Sequence, residues 1–369
     1  MAVAPAKPDA RRELARLRLA AQRLVGEPAR SPAEAVRWML ALQAQDYPGA
    51  KWSVGLRAGA DSTDADVEAA CDAGDIVRSW PLRGTLHLVA ADDLTWMLEL
   101  TTERAIASAA KRREILGITL AEIERARELA IDALPGRGAL SRAALLAAIE
   151  RGGVSTAGQR GYHLLWYLAQ TSTLVLGPTS GSQQTFARLD AWVTNPRRLE
   201  RDEALGELAA RYCASHGPAL DGDLARWSGL PLRDARRGIA VAGSRLVVRE
   251  VDSRPYLVGA EAADAAPEPA GLLLLPGFDE YMLGYRDRSP MLAPEHADAI
   301  VPGGNGMFRS TIVIDGEVVG TWGRRVGTRA VSIVPEPFEV LPPDDRAALA
   351  QAAERYGRFL GRRAGVAVA

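Results

Sequence analysis

Residues 219–259, ALDGDLARWSGLPLRDARRGIAVAGSRLVVREVDSRPYLVG, decide the fold. Asp221 stands where an N-cap belongs, at the head of a short helical stretch. Residues 230–243 continue as a second helix, and 244–259 read as a hairpin turned by Asp252-Ser253-Arg254-Pro255. Upstream, EALGELAARYCASHG (203–217) has helical periodicity and stops at Gly217. Three helices followed by a β-hairpin make the winged-helix variant of helix-turn-helix.

The same order of events occurs twice more. Residues 120–138, 139–153 and 155–172 read as helices, and 173–190 as a hairpin whose loop, 177–184, is rich in Gly, Ser and Gln. Ser141 takes the place of Asp221, so Ala139-Leu140-Ser141 matches Ala219-Leu220-Asp221. The first copy runs through RRELARLRLAAQRLV (11–25), SPAEAVRWMLALQAQ (31–45) and DADVEAACDAGD (64–75) to the hairpin IVRSWPLRGTLHLVA (76–90). Ser31-Pro32-Ala33-Glu34 forms a capping-box pattern with Pro at the first helical position. Residues 91–117 read as a connecting helix.

After the Ala-, Pro- and acid-rich linker 262–270 the character changes. LLLLPGFDEYMLGYRDR (272–288), a Gly-rich loop (301–308), strands at 309–316, 317–325 and 328–340, and a last helix at 343–361 describe a small β-rich unit. The expected fold is α+β: winged-helix units at 9–118, 119–195 and 196–260, then a C-terminal unit at 270–369.

Composition is that of an ordinary globular chain, 47% apolar and 25% charged, with a formal net charge of −1. That balance is not the footprint of a DNA-coating protein. Lys7, Lys51 and Lys111 are the lysines, so the positive charge is nearly all arginine, the side chain suited to phosphate and guanine edges. Codon bias explains the same preference in a chain rich in Ala and Gly. Cys71 and Cys213 lie far apart, and four scattered histidines offer no metal-ligand spacing. The N-terminal stretch has no apolar core of a secretory signal, and no apolar run is long enough to span a bilayer, so cytoplasm is the expected compartment.

One short stretch stands out chemically: ALQAQDYPG, residues 41–49. Val36, Met39, Leu40 and Gln43 share a helical face, which aims Gln43 inward or into a cleft. In a continuous helix Gln45 lies about 200° further round. In an extended backbone the two side chains project to the same side. Pro48-Gly49 favours the helix ending here, so that both amides converge. Taken alone, the triplet reads first as solvated or backbone-satisfying side chains.

Its company changes that reading. LQAQ, the segment RSWPLRGTLHLV (78–89), the block LPGFDEYMLGYRDR (275–288) and the strand pair IVIDGEVVGTWGRR (312–325) resemble the AlkZ/YcaQ-like winged-helix DNA glycosylases in their Gln-aliphatic-Gln form. The resemblance runs from about residue 10 to residue 355. It implies tandem winged helices in a C shape around a DNA channel. It also implies hydrolysis of the N-glycosidic bond of bulky alkylated purines, including N7-guanine interstrand crosslinks made by natural-product alkylators. Several relatives protect the organism that makes such a toxin. Double-stranded DNA carrying alkylated purines is the implied partner, no metal or organic cofactor is implied, and a monomer is expected.

By that resemblance Gln43 and Gln45 are catalytic. Alkylation at N7 gives guanine a positive charge, so it departs as a neutral base with little need of protonation. What remains is to hold a water below C1′ and turn negative dipole ends toward the oxocarbenium charge, which two carboxamide oxygens can do. Candidate DNA contacts are Arg83 at the first hairpin turn, His87, Arg286, Arg288, Ser182 and Gln183. Arg83 reads equally as a solvated turn residue, and His87, alone in an apolar strand, reads more readily as a packed core residue. The adjacent carboxylates Asp279 and Glu280 rival the amides as a catalytic pair. In a strand they face opposite sides, so one ion pair with Arg286 or Arg288 is expected. The 177–184 and 302–308 loops are long enough to reach a groove, or serve only as tight turns. Two other functions fit: a non-catalytic winged-helix DNA-binding protein, regulator or lesion scaffold, and a protein that sequesters the toxin in an apolar pocket.

Overall fold

The computed structural model describes residues 8–180, 183–262, 264 and 269–367. The fold is mixed α+β and falls into two compact units, one formed by 1–67 with 205–369, the other by 68–204. The expected boundary near residue 118 therefore lies inside the second unit, and the first 67 residues group with the C-terminal half.

In the second unit, Thr119 caps the helix Leu120–Ala133 reciprocally with Glu122, and Ile123, Ala126 and Ala130 form its buried stripe. Ser141 Oγ accepts from the Ala144 N–H and starts the helix Arg142–Arg151, which buries Leu145 and Ile149. The helix Arg160–Gln170 adds Leu164, Leu165 and Leu168 to the same core. A sheet covers it in the order Thr85–Ala90, Ile76–Leu82, Leu174–Ser180, Gln183–Arg188, Ala139–Ser141. The two hairpins thus share one sheet through Arg78 opposite Leu176. The short strand Ala139–Ser141 pairs with the last strand, Leu140 opposite Phe186.

In the first unit the helices Arg201–His216, Asp221–Ser228 and Leu232–Ala242 lead to the hairpin Leu246–Val251 and Arg254–Gly259. Ala219 exchanges two backbone hydrogen bonds with Leu257 (3.0 and 2.8 Å), an antiparallel bridge to the hairpin's last strand like the pairing of its counterpart Ala139 with Ala187. This is the physical content of the Ala-Leu-Ser and Ala-Leu-Asp match: an extended residue pair docks on the last strand before the next helix begins. Asp221 is the first helical residue rather than the cap, and the Asp223 carboxylate accepts from the Leu220 N–H (2.9 Å). The turn is Asp252-Ser253, both at positive φ, and Pro255 already lies in the strand opposite Glu250.

The C-terminal sheet runs Arg363–Val366, Ala330–Pro337, Glu317–Val326, Thr311–Ile314, Leu272–Leu275, parallel only at its first pair. The helix Pro343–Phe359 packs on it, with Tyr356 edge-on to Trp322 and to Trp52. Trp52 belongs to a helix, Tyr47–Arg57, that the sequence reading lacked. Pro48, a helix-ending signal in the sequence, occupies the first turn of this new helix, a position that tolerates a missing N–H. Gly55 faces the Phe359 ring without room for a Cβ, which lets the helix approach that closely. Among the described residues no helix is long and apolar enough to cross a membrane.

Candidate active site

The helix Pro32–Met39 begins as expected, with Ser31 Oγ accepting from the Glu34 N–H (3.1 Å). The reciprocal half of the box is absent. The Glu34 carboxylate takes the Arg30 N–H and the Arg23 guanidinium instead. The helix stops at Met39, well short of Gln43. Leu40 sits at φ 67°, ψ −52°, and the Ala41 N–H donates to the Met39 carbonyl (2.8 Å), a γ-turn with positive φ. A buried leucine there is strained, and such strain clusters where chain geometry is functionally constrained. The turn ends the helix and delivers Leu42–Gln43 as a short strand.

Extended backbone places the side chains of Gln43 and Gln45 on one side, and the amides meet. Gln43 Nε2 donates to Gln45 Oε1 (2.6 Å), and Gln43 Oε1 accepts from the Gln45 N–H (3.2 Å). Gln43 is buried and Gln45 exposed. The pair is therefore anchored at one end and open at the other.

The anchor is Glu280. Its Oε1 accepts from the Gln43 backbone N–H (2.9 Å), and its Oε2 accepts from Trp227 Nε1 (2.8 Å). His216 Nε2 lies 3.8 Å from the same Oε2, and burial pushes the His216 pKa down, which keeps the ring neutral near pH 7. Next door, Asp279 caps the short helix Glu280–Leu283 through the Tyr281 N–H and takes a bidentate contact from Arg57. Neither carboxylate pairs with Arg286 or Arg288. The expected ion pair is corrected on this point: residues 279 and 280 open a helix rather than lie in a strand, and both turn into the interior.

The remaining candidates fall in different places. Arg288 donates through Nε to the Met282 carbonyl (2.6 Å) and lies over Phe308 (4.8 Å). Burial, with the Arg226 charge adding to it, lowers its pKa to about 10, still far above neutrality. Arg286 is exposed, and its N–H donates to Asp223 Oδ1 (2.8 Å). In the second unit Arg83 is exposed at a two-residue turn with Gly84, both at positive φ. Arg83 Nη2 is 3.3 Å from His87 Nε2, and His87 Nδ1 is 2.8 Å from the Thr85 carbonyl. His87 is fully buried, so it offers no edge to a duplex, and the DNA contact expected of it gives way to a structural role. Gln183 is exposed at the tip of the second hairpin, and Ser182 lies outside the described residues.

The sequence reading missed the hold of Glu280 on Gln43, and of Trp227 on Glu280, which joins residues far apart in the chain. The only available signal was that an acidic pair followed a Pro-Gly turn.

The chain joins a mixed α+β fold to this hydrogen-bonded amide pair. It belongs to the AlkZ-like DNA glycosylase family, whose sequence profile matches residues 36–359. An interstrand DNA cross-link repair glycosylase of Streptomyces sahachiroi is 27% identical over 365 residues, 94% of each chain. The solved structure of the Streptomyces sahachiroi DNA glycosylase AlkZ superposes with a TM-score of 0.80 at 25% identity, covering 97% of this chain and 99% of that one. The resemblance carried by LQAQ, RGTLH, FDEY and YRDR is thereby borne out.

Proposed function

We propose that this glycosylase hydrolyses the N-glycosidic bond of bulky N7-alkylated purines in duplex DNA, and that it unhooks interstrand crosslinks, a reading supported by the Streptomyces sahachiroi relative named an interstrand DNA cross-link repair glycosylase. Gln43 and Gln45 are the catalytic residues. The observation that carries the reading is the 2.6 Å hydrogen bond between their side chains, buried at Gln43 and open at Gln45. In this geometry the free lone pairs of the two amide oxygens converge on one water beneath the sugar. They orient it toward C1′ and present negative dipole ends to the oxocarbenium charge. No strong base is needed, because a cationic purine departs neutral.

The helix–helix–hairpin segments act as winged helices on the duplex. Arg83, Gln183, Arg286 and Arg288 contact the DNA, mainly at phosphates. The enzyme works as a cytoplasmic monomer. Incubation with N7-methylguanine DNA and with an N7-crosslinked duplex, followed by alkali to cut abasic sites, tests the reading. Strand scission at the lesion in both supports it, and intact strands after prolonged incubation contradict it.

A further inference from the structure

We propose that Glu280 is the positioning residue of the amide pair and places behind it the negative charge that two carboxamides lack. The inference rests on the reading of Gln43 and Gln45 as the catalytic pair. Glu280 is fully buried, and its contacts include the Gln43 N–H donating to Oε1 and the Trp227 indole N–H donating to Oε2. It opens a helix whose cap, Asp279, is held by both Arg57 nitrogens, the Ser53 hydroxyl and the Tyr281 N–H. The carboxylate is therefore fixed on both sides.

Gln43 spends both ends of its side-chain amide on Gln45, so the pair takes its orientation from the Gln43 backbone, and that backbone is fixed by Glu280. A buried formal charge also acts at longer range than a solvated one, because little dielectric intervenes. As positive charge passes from the purine to the sugar, the carboxylate favours the transition state over the ground state. A neutral amide at 280 cannot replace it. Glutamine has one acceptor oxygen for two N–H donors and turns its NH2 against one of them.

The test compares wild type, Glu280→Gln, Gln45→Ala, Trp227→Phe and the double variant Glu280→Gln/Gln45→Ala. Single-turnover release of N7-methylguanine and the Kd for the lesion duplex are both measured. Glu280→Gln is expected to slow release on the order of 100-fold, with Kd within about twofold of wild type. Because Glu280 positions the amide pair, the double variant should lose less than the product of the two single losses. Trp227→Phe removes one donor from the carboxylate but leaves the Gln43 contact in place, so it should slow release less than Glu280→Gln does. A fully active Glu280→Gln, multiplicative losses in the double variant, a Kd that rises as the rate falls, or an equally slow Trp227→Phe each overturn the proposal. Should Glu280→Gln fail to fold, Glu280→Asp serves: it keeps the charge, withdraws it by one methylene, and is expected to slow release with Kd unchanged, whereas a wild-type rate overturns the proposal. A fully active Gln45→Ala would instead remove the underlying catalytic reading, so the two failures are distinguishable.

Discussion

Arg57 and Asp279 form a bidentate ion pair, Nη1 to Oδ2 and Nη2 to Oδ1 at 2.9 Å each, with both side chains completely buried. The pair ties the helix that follows Gln45 to the turn that carries Glu280. Ser53 Oγ (2.6 Å) and Gln22 Oε1 (2.8 Å) complete it. Removing one partner strands a buried charge, so Arg57→Met should destabilise the fold by about 3–5 kcal/mol. Replacing both by apolar residues should cost less than that single change. Urea unfolding of the single and double variants checks the order, and a single variant within about 1 kcal/mol of wild type would contradict it.

Stability should fall as pH drops below neutrality. Burial lowers the pKa of His163, with Arg113 and Arg112 adding to the shift, and burial likewise lowers that of His216. Each folded-state pKa lies below the unfolded value of about 6.5, so the unfolded chain binds more protons in this range. The stability these rings contribute is complete above that value and is lost as pH falls toward the folded pKa. Glu34, held low by its hydrogen bond from Arg23, and Asp315, held low by Arg16, extend the loss below about pH 4. Tm should therefore drop between pH 7.5 and 5.5, and His163→Gln should flatten part of that drop. An unchanged slope would assign the effect elsewhere.

Arg83 offers a test of the hairpin's part in binding. If its guanidinium meets a phosphate, Arg83→Ala should weaken binding alike on all sequences and reduce the salt slope of log K by about 1. An unchanged slope would return Arg83 to the solvent. The exposed side chain and the Arg83-Gly84 turn make an unfolding effect small by comparison.

If Gln45 is catalytic as proposed, an amide at that position sets the lesion scope. With no general base, release should be confined to purines that leave without help, so hypoxanthine should persist while N7-methylguanine is lost. Gln45→Asp introduces a carboxylate of ordinary basicity and should widen the range toward less activated lesions. Rapid hypoxanthine release by the wild type would contradict the account.

Much of this was legible in the sequence where local chemistry decides. Ser141 and its hydrogen bond to Ala144, the strands 309–316 and 317–325, and the closing helix all follow from caps and periodicity. The helix Tyr47–Arg57 was not legible, because Pro48 signals both the end of one helix and the first turn of the next. Nor was the stop at Met39, where Leu40 adopts positive φ without a glycine to announce it. The convergence of Gln43 and Gln45 was reached by the right alternative, extended backbone, although the helix had ended earlier than supposed. Asp279 and Glu280 were misassigned because their partners, Arg57, Trp227 and the Gln43 backbone, are brought to them only by tertiary packing.

The central claim is that two hydrogen-bonded carboxamides orient the attacking water, and it is tested most directly by Gln45→Ala on a duplex with a single N7-methylguanine. Gln45 is exposed, and among the described residues its side chain is hydrogen-bonded to Gln43 within the same short segment. Single-turnover release should fall on the order of 100-fold or more, while duplex affinity and Tm match the wild type. Release at the wild-type rate, or a loss that tracks weakened binding, would contradict the account.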